Sequence, residues 1–249
     1  QGWAIECRIN AEDPFRGFLP STGRLVRFSP PETTMWQADT EHLYGVRVDT
    51  GVQEGGEIPM YYDSMIAKLI VHGTSRMEAI AKMREALNGF VIRGISSNVP
   101  FQAALLAHPR FVSGDFNTGF IAEHYAHGFR AEDISHDDPD FLVALAAFVR
   151  RKSRERAAGI SGQLQGYQVQ VGKDYEVIVL GPGGRDRYVS VHVDEIVGET
   201  GVARVRVGDK PYEIRSQSRL NDICLTGTVN GQAFTVQVER GTARSPLAL

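Results

Sequence analysis

The chain predicts an α+β fold in two domains. Strands interleaved with helices come first, followed by a long helix packed in an antiparallel β-barrel or strongly curved sheet. Three observations carry this. Period-two alternation opens at residue 3 and returns near 46–52 and 66–72, while helical spacing governs 75–90. Between Arg130 and Asp140 the composition turns acidic, through Glu132, Asp133, Asp137, Asp138 and Asp140. Beyond Tyr167 the alternation is purely β, with turn residues between short strands.

The first strand sets Trp3, Ile5, Cys7 and Ile9 against Ala4, Glu6, Arg8 and Asn10. One face is apolar. The other carries Glu6, Arg8 and Asn10 in a row, spaced ~7 Å apart by strand geometry. An arginine fixed between a carboxylate and an amide suits a planar anion, and the same pattern describes a structural ion pair of Arg8 with Glu6. Glu12 and Asp13, just before Pro14, read as a turn or cap rather than an acid–base pair. Pro20, Gly23 and Pro30-Pro31 then punctuate short extended pieces. After the break at Tyr61-Tyr62, Asp63 is placed to order a tight turn by accepting from nearby backbone amides.

Ser75 and Glu78 predict a capping box for a helix whose Ile80, Met83, Leu87 and Phe90 face the core. A second helix is expected from Asn98-Val99-Pro100, burying Leu105 and Leu106 and stopping before Pro109. A third is expected from Asn117 or Thr118 to Tyr125. His124 and His127 lie near its end with no third ligand close by in sequence, which favours a solvated helix end over a metal site.

Residues 130–137 form the expected linker between domains 1–129 and 138–249. Asp138 caps a long helix, with Pro139 at its first position and Gly159 past its end. Its first half is apolar and expected to be buried; its second half, rich in Arg and Lys, is expected to be wet. Strand patterns then involve Tyr167/Val169/Val171, Val177/Val179, Val189/Val191/Val193 and Val205/Val207. Asn230-Gly231 signals a type I′ hairpin. Gly181-Pro182-Gly183-Gly184 lacks the Lys-Ser/Thr of a phosphate loop and joins two strands, so it reads as a hairpin turn.

A length of 249 residues allows two cores, and 42% hydrophobic with 23% charged residues is ordinary for a globular chain. A net charge of −3 gives no electrostatic case for nucleic acid. No apolar run approaches the ~20 residues of a membrane span. Cys7 and Cys224 lie far apart on strand patterns, as expected of buried free thiols in a reducing compartment. The chain does not open on Met, and strand pattern begins almost at its first residue, so an internal fragment is expected.

The string Gly2–Pro14 resembles the segment that opens the C-terminal region of biotin carboxylases, most closely in the α subunits of propionyl-CoA carboxylases. Phe18-Leu19-Pro20-Ser21 with Gly23, Gly45-Val46-Arg47-Val48-Asp49, and the run from Ile58 to Leu69 agree in order. Residues 138–249, through Asn230-Gly231-Gln232 and Phe234-Thr235-Val236-Gln237, resemble the linking (BT) domain of that family, with Gly128-Phe129 at the junction. The resemblance implies that residues 1–129 are a biotin carboxylase subdomain with a mainly antiparallel sheet and flanking helices. It implies ATP- and bicarbonate-dependent carboxylation of biotin, with transfer to an acyl-CoA on a carboxyltransferase β subunit.

In this family the arginine matching Arg8 contacts bicarbonate and the ureido oxygen of biotin. Glu6, Asn10 and Asp63 are candidates to support it, and Thr118 is a candidate nucleotide contact. The implied cofactors are biotin on a carrier domain, ATP, and Mg2+ or Mn2+. No stretch of this chain resembles the lysine and glutamates of the ATP-grasp machinery or an Ala-Met-Lys-Met biotinylation string, so the 249 residues alone are expected to be inactive. The implied partners are the β subunit, docked through 138–249, and the carrier domain. Location would be cytoplasmic in a bacterium and the mitochondrial matrix in a eukaryote. Methylcrotonyl-, acetyl- and long-chain acyl-CoA carboxylases are the alternatives, as is a pure docking role for these residues.

Overall fold

The computed structural model describes residues 2–34, 45–60, 63–134, 136–164, 166, 169–181, 185–194, 196 and 201–239. The chain forms two compact units, Gln1–Ser135 and His136–Leu249. Tyr61-Tyr62, Tyr167 and positions 182–184 of the glycine-rich turn, all used in the expectations above, lie outside the described residues.

The first unit is built on three antiparallel strands: β1 (Trp3–Asn10), β2 (Gly45–Thr50) and β3 (Met65–Gly73), in the order β1-β3-β2. Alternation decides which side chains go under. Cys7, Leu69 and Val48 lie in one cross-strand row, and Ile5, Val71 and Val46 in the next. These rows pack with Ala79, Met83 and Leu87 of α1 (Arg76–Asn88) in one core. Trp3 departs from the expected apolar face at 53% exposure, because its cross-strand partner is Gly73, which has no side chain to cover it.

The Ser75 hydroxyl accepts from the Glu78 amide at 3.2 Å, as a cap should. The reciprocal half is shifted by one residue: Glu78 accepts from the Thr74 amide (2.8 Å) and hydroxyl rather than from Ser75. Helix α2 (Val99–Ala107) buries Leu106, while Leu105 is half-buried beside Phe101 and Phe129. Pro109, expected only to end α2, also starts a short helix α3 (Pro109–Ser113), its ring being compatible with a first helical position. Helix α4 (Phe120–His124) is shorter than expected, since Asn117 Oδ1 accepts from the Gly119 amide at 2.7 Å and holds 117–119 as a turn.

In the second unit α5 (Pro139–Ala158) lies against an antiparallel meander of β4 (Asp174–Val179), β5 (Arg187–Val193), β6 (Val202–Val207), β7 (Lys210–Arg215), β8 (Cys224–Val229) and β9 (Gln232–Gln237). This six-stranded half-barrel buries Val191, Val193, Val205 and Ile214 with Ala144, Leu145 and Phe148 of the helix. Asp138 caps α5 through the Phe141 amide and also accepts from the buried Tyr212 hydroxyl at 2.9 Å. Asn230 (φ +49°) and Gly231 (φ +84°) take the left-handed pair of a type I′ turn.

Three expectations are corrected here. Val169 and Val171 are not in a strand, because the Val169 amide donates to Gln163 Oε1 (2.9 Å) instead of a neighbouring strand. The cationic half of α5 is not uniformly wet: Arg151 is only 5% exposed, pairing with Glu155 and donating to the Gly172 carbonyl at 2.7 Å. Cys224 is half-buried rather than buried.

Two outcomes follow. Bonds from Thr74 and from Lys82 hold the Glu78 carboxyl down at about 2, below its ordinary 4.5. A depressed carboxyl stabilises the fold above its unfolded pKa, so this contribution is lost as pH falls from about 4.5 towards 2. Glu78→Gln is expected to flatten that part of an acid-unfolding profile followed by circular dichroism. Tyr212→Phe leaves the Asp138 cap short of a buried donor and is expected to cost about 1–3 kcal/mol in urea unfolding. An unchanged midpoint would contradict it.

Candidate functional site

The wet face of the first sheet collects charge by register. Glu6 stands opposite Ile70 and Arg8 opposite Lys68 on β3. Ile70 and Lys68 are in turn opposite Arg47 and Asp49 on β2. Directly paired residues of an antiparallel ladder share a face, so Arg8, Lys68 and Asp49 form one row and Glu6, Ile70 and Arg47 the next. Arg47 and Asp49 satisfy each other through two bonds of 2.8 and 2.7 Å. The Arg8 side chain is 68% exposed, and among the described residues it reaches only Glu6, at 3.4 Å. An exposed pair of that length is worth little, so Arg8 remains free to exchange Glu6 for another anion.

Lys68 was not singled out by the sequence. Its place opposite Arg8 depends on the pairing of two strands far apart in the chain, and the two like charges are offset by Asp49, opposite Lys68 on β2, and by Glu6 beside Arg8. Asn10, at the end of the row, donates through Nδ2 to Glu12 Oε1 at 3.2 Å, and Glu12 also accepts from the Ser64 hydroxyl. Asn10 Oδ1 is buried and has no partner among the described residues.

Asp63 accepts from the Met65 amide at 3.1 Å, the tight-turn role its sequence position suggested, and makes no bond to Arg8. Thr118 is exposed on the 117–119 turn, and the structure gives its side chain no hydrogen bond to the Arg8 row. His124 lies with its ring centroid 4.5 Å from that of His108, and Arg110 Nη1 lies 3.2 Å from His124 Nε2. Burial, the His124 charge and Arg110 hold His108 below its ordinary pKa. Among the described residues no three His, Cys, Asp or Glu side chains group as metal ligands. No described helix is long and apolar enough to cross a membrane.

Comparison with known proteins assigns both units. Residues 6–123 match the biotin carboxylase C-terminal domain, and residues 142–248 match the propionyl-coenzyme A carboxylase BT domain. The chain belongs to the biotin-dependent carboxylase family. It is 45% identical over 190 residues to the propionyl-CoA carboxylase alpha chain of Ruegeria pomeroyi, covering 72% of this chain and 28% of that one. Against the mitochondrial alpha chain of Caenorhabditis elegans the identity is 35% over 244 residues, 95% of this chain and 32% of the other. Biotin carboxylase 1 of Bacillus subtilis is 51% identical over 121 residues, 49% of this chain and 25% of that protein. The chain therefore spans about a third or less of the length of these relatives, which are ligases of bacterial and mitochondrial origin.

Cys7 lies directly beneath the charged row. Burial first, and the Glu6 carboxylate second, push its thiol up to about 12. At pH 8 the folded protein is expected to expose at most the Cys224 thiol to Ellman's reagent, and both thiols in guanidinium. Two native thiols reacting at similar rates would contradict this packing.

Proposed function

We propose that the Arg8 face forms one wall of a site that carboxylates biotin with ATP and bicarbonate, and that the second unit docks a carboxyltransferase β subunit. The observation that carries the first part is the pairing of an exposed, weakly held Arg8 with Lys68 on a rigid sheet. Bicarbonate is a planar anion suited to a guanidinium fork, with Lys68 supplying a second charge. Biotin, when bound, supplies the ureido nitrogen that takes up the carboxyl group. Arg8, anchored on the sheet, then offers a cation where negative charge grows on the ureido oxygen. Glu6 keeps the guanidinium aligned until substrate arrives, and Asn10 offers a buried acceptor at the end of the row.

Thr118 as a nucleotide contact and Asp63 as support for Arg8 belong to this proposal through the family resemblance alone. Propionyl-CoA as the acyl acceptor rests on the relatives' names and on the BT domain match. Docking by the second unit rests on the same match.

The test uses the whole α subunit with its β subunit. Arg8→Ala is expected to lower biotin carboxylation by about a hundredfold or more while the subunits still co-elute. Removing 138–249 is expected to release the β subunit and to leave carboxylation of free biotin intact. Full activity in Arg8→Ala would refute the site, and a deletion that still retains β in a pull-down would refute the docking role. Residues 1–249 alone are expected to hydrolyse no ATP in the presence of bicarbonate.

A further inference from the structure

We infer that Asn98 is a positioning residue for Arg8, acting through the backbone of β1; the inference rests on the active-site reading above. Among the described residues β1 is the outer strand of its sheet, and one edge of its backbone has no neighbouring strand there. At Arg8–Asn10 that edge is taken over by side chains from the start of α2. Asn98 Nδ2 donates to the Arg8 carbonyl at 3.0 Å, and Asn98 Oδ1 accepts from the Asn10 amide at 2.9 Å. The Asn98 amide itself donates to the Asn10 carbonyl at 3.1 Å, and Gln102 Nε2 adds a second donor to the Arg8 carbonyl at 3.3 Å. One primary amide thus does for two residues of β1 what a further strand would do. Its orientation is fixed, because its partners are a backbone donor and a backbone acceptor.

Two features separate this from ordinary packing. Asn98 occupies the N-cap position of α2, where asparagine normally accepts from the first amides of its own helix, yet it makes no such bond. Local helix stability is forgone for the grip on β1. The grip also falls where the β1–β3 register shifts, between Ile9 and Asn10, and such irregularities re-aim neighbouring side chains. The Arg8 side chain has little holding it at its tip, so the backbone that Asn98 and Gln102 hold sets where, and along which direction, it leaves the strand. Asn98 is 6% exposed and its side-chain amide is taken up by the backbone of β1.

The full α subunit carrying Asn98→Ala, Asn98→Asp or Gln102→Ala tests this, with Ser75→Ala as a control that removes the α1 cap in the same unit away from β1. The readouts are biotin-carboxylation kcat, KM for ATP, and melting temperature. Asn98→Ala is expected to lower kcat about tenfold or more, the scale that small misplacements of a catalytic group produce, with KM for ATP within about twofold. Asn98→Asp keeps the acceptor for Asn10 but sets a carboxylate against the Arg8 carbonyl, and is expected to behave alike. Gln102→Ala is expected to fall between Asn98→Ala and wild type. Ser75→Ala is expected to lower the melting temperature and leave kcat unchanged.

An Asn98→Ala kcat equal to wild type overturns the inference, as does a matching loss in Ser75→Ala, which would mark the effect as general destabilisation. If neither Asn98 variant folds, an unchanged kcat in Gln102→Ala overturns it. Arg8→Ala assayed alongside separates the two readings. Loss there with none in Asn98→Ala removes only the positioning role, whereas full activity in Arg8→Ala removes the active-site reading and this inference with it.

Discussion

The pairing of β1 with β3 is the constraint from which the rest of the first unit follows. Side chains alternate with a period of two, so a slip of one residue would turn Arg8 into the core and Cys7 out to water. Ile9 and Leu69 are fully buried, and Cys7 nearly so, against α1. Their burial fixes the register, and the register puts Arg8 opposite Lys68 and Glu6 in the same row. The charged face is thus specified from beneath, by apolar residues that never touch it.

The second unit uses a different device to the same end. Its helix and half-barrel share a core of valine, leucine and phenylalanine, but Asp138 joins them by accepting both from the first turn of α5 and from Tyr212 of β7. Asn230 ties the β8–β9 turn to β7 through a donor and an acceptor on Glu213. Such polar contacts add little net energy when satisfied but penalise wrong arrangements, because a buried group left unpaired is costly.

The sequence carried the periodic elements well and the non-local ones poorly. Alternation identified β1, β2, β3 and the valine-rich strands, and the Asp138-Pro139 cap and the Asn230-Gly231 turn were legible because each depends on a few consecutive residues. Arg8 was visible as the centre of a polar row. Lys68 was not, since only strand pairing brings it across, and Asn98 read as a helix start because that is what asparagine before Val-Pro usually marks. Arg151 was taken for a solvated cation because its acceptor, the Gly172 carbonyl, lies beyond the end of the helix. The strand expected at 169–171 failed because a glutamine side chain captured its backbone.

Several departures from local optimality in the first unit lie on or beside the strand that carries Arg8. Two cations face each other across β1 and β3 with Asp49 beyond them, an asparagine acceptor is buried with no partner among the described residues, and an N-cap residue makes no side-chain cap to its own helix but holds a strand edge. Each is unfavourable by itself, whereas α1, on the opposite face of the same sheet, is capped and well packed. The apolar side of the sheet, with Ile9, Leu69, Val71, Met83 and Leu87 nearly or fully buried, is what lets the opposite side carry these costs and still hold a single geometry.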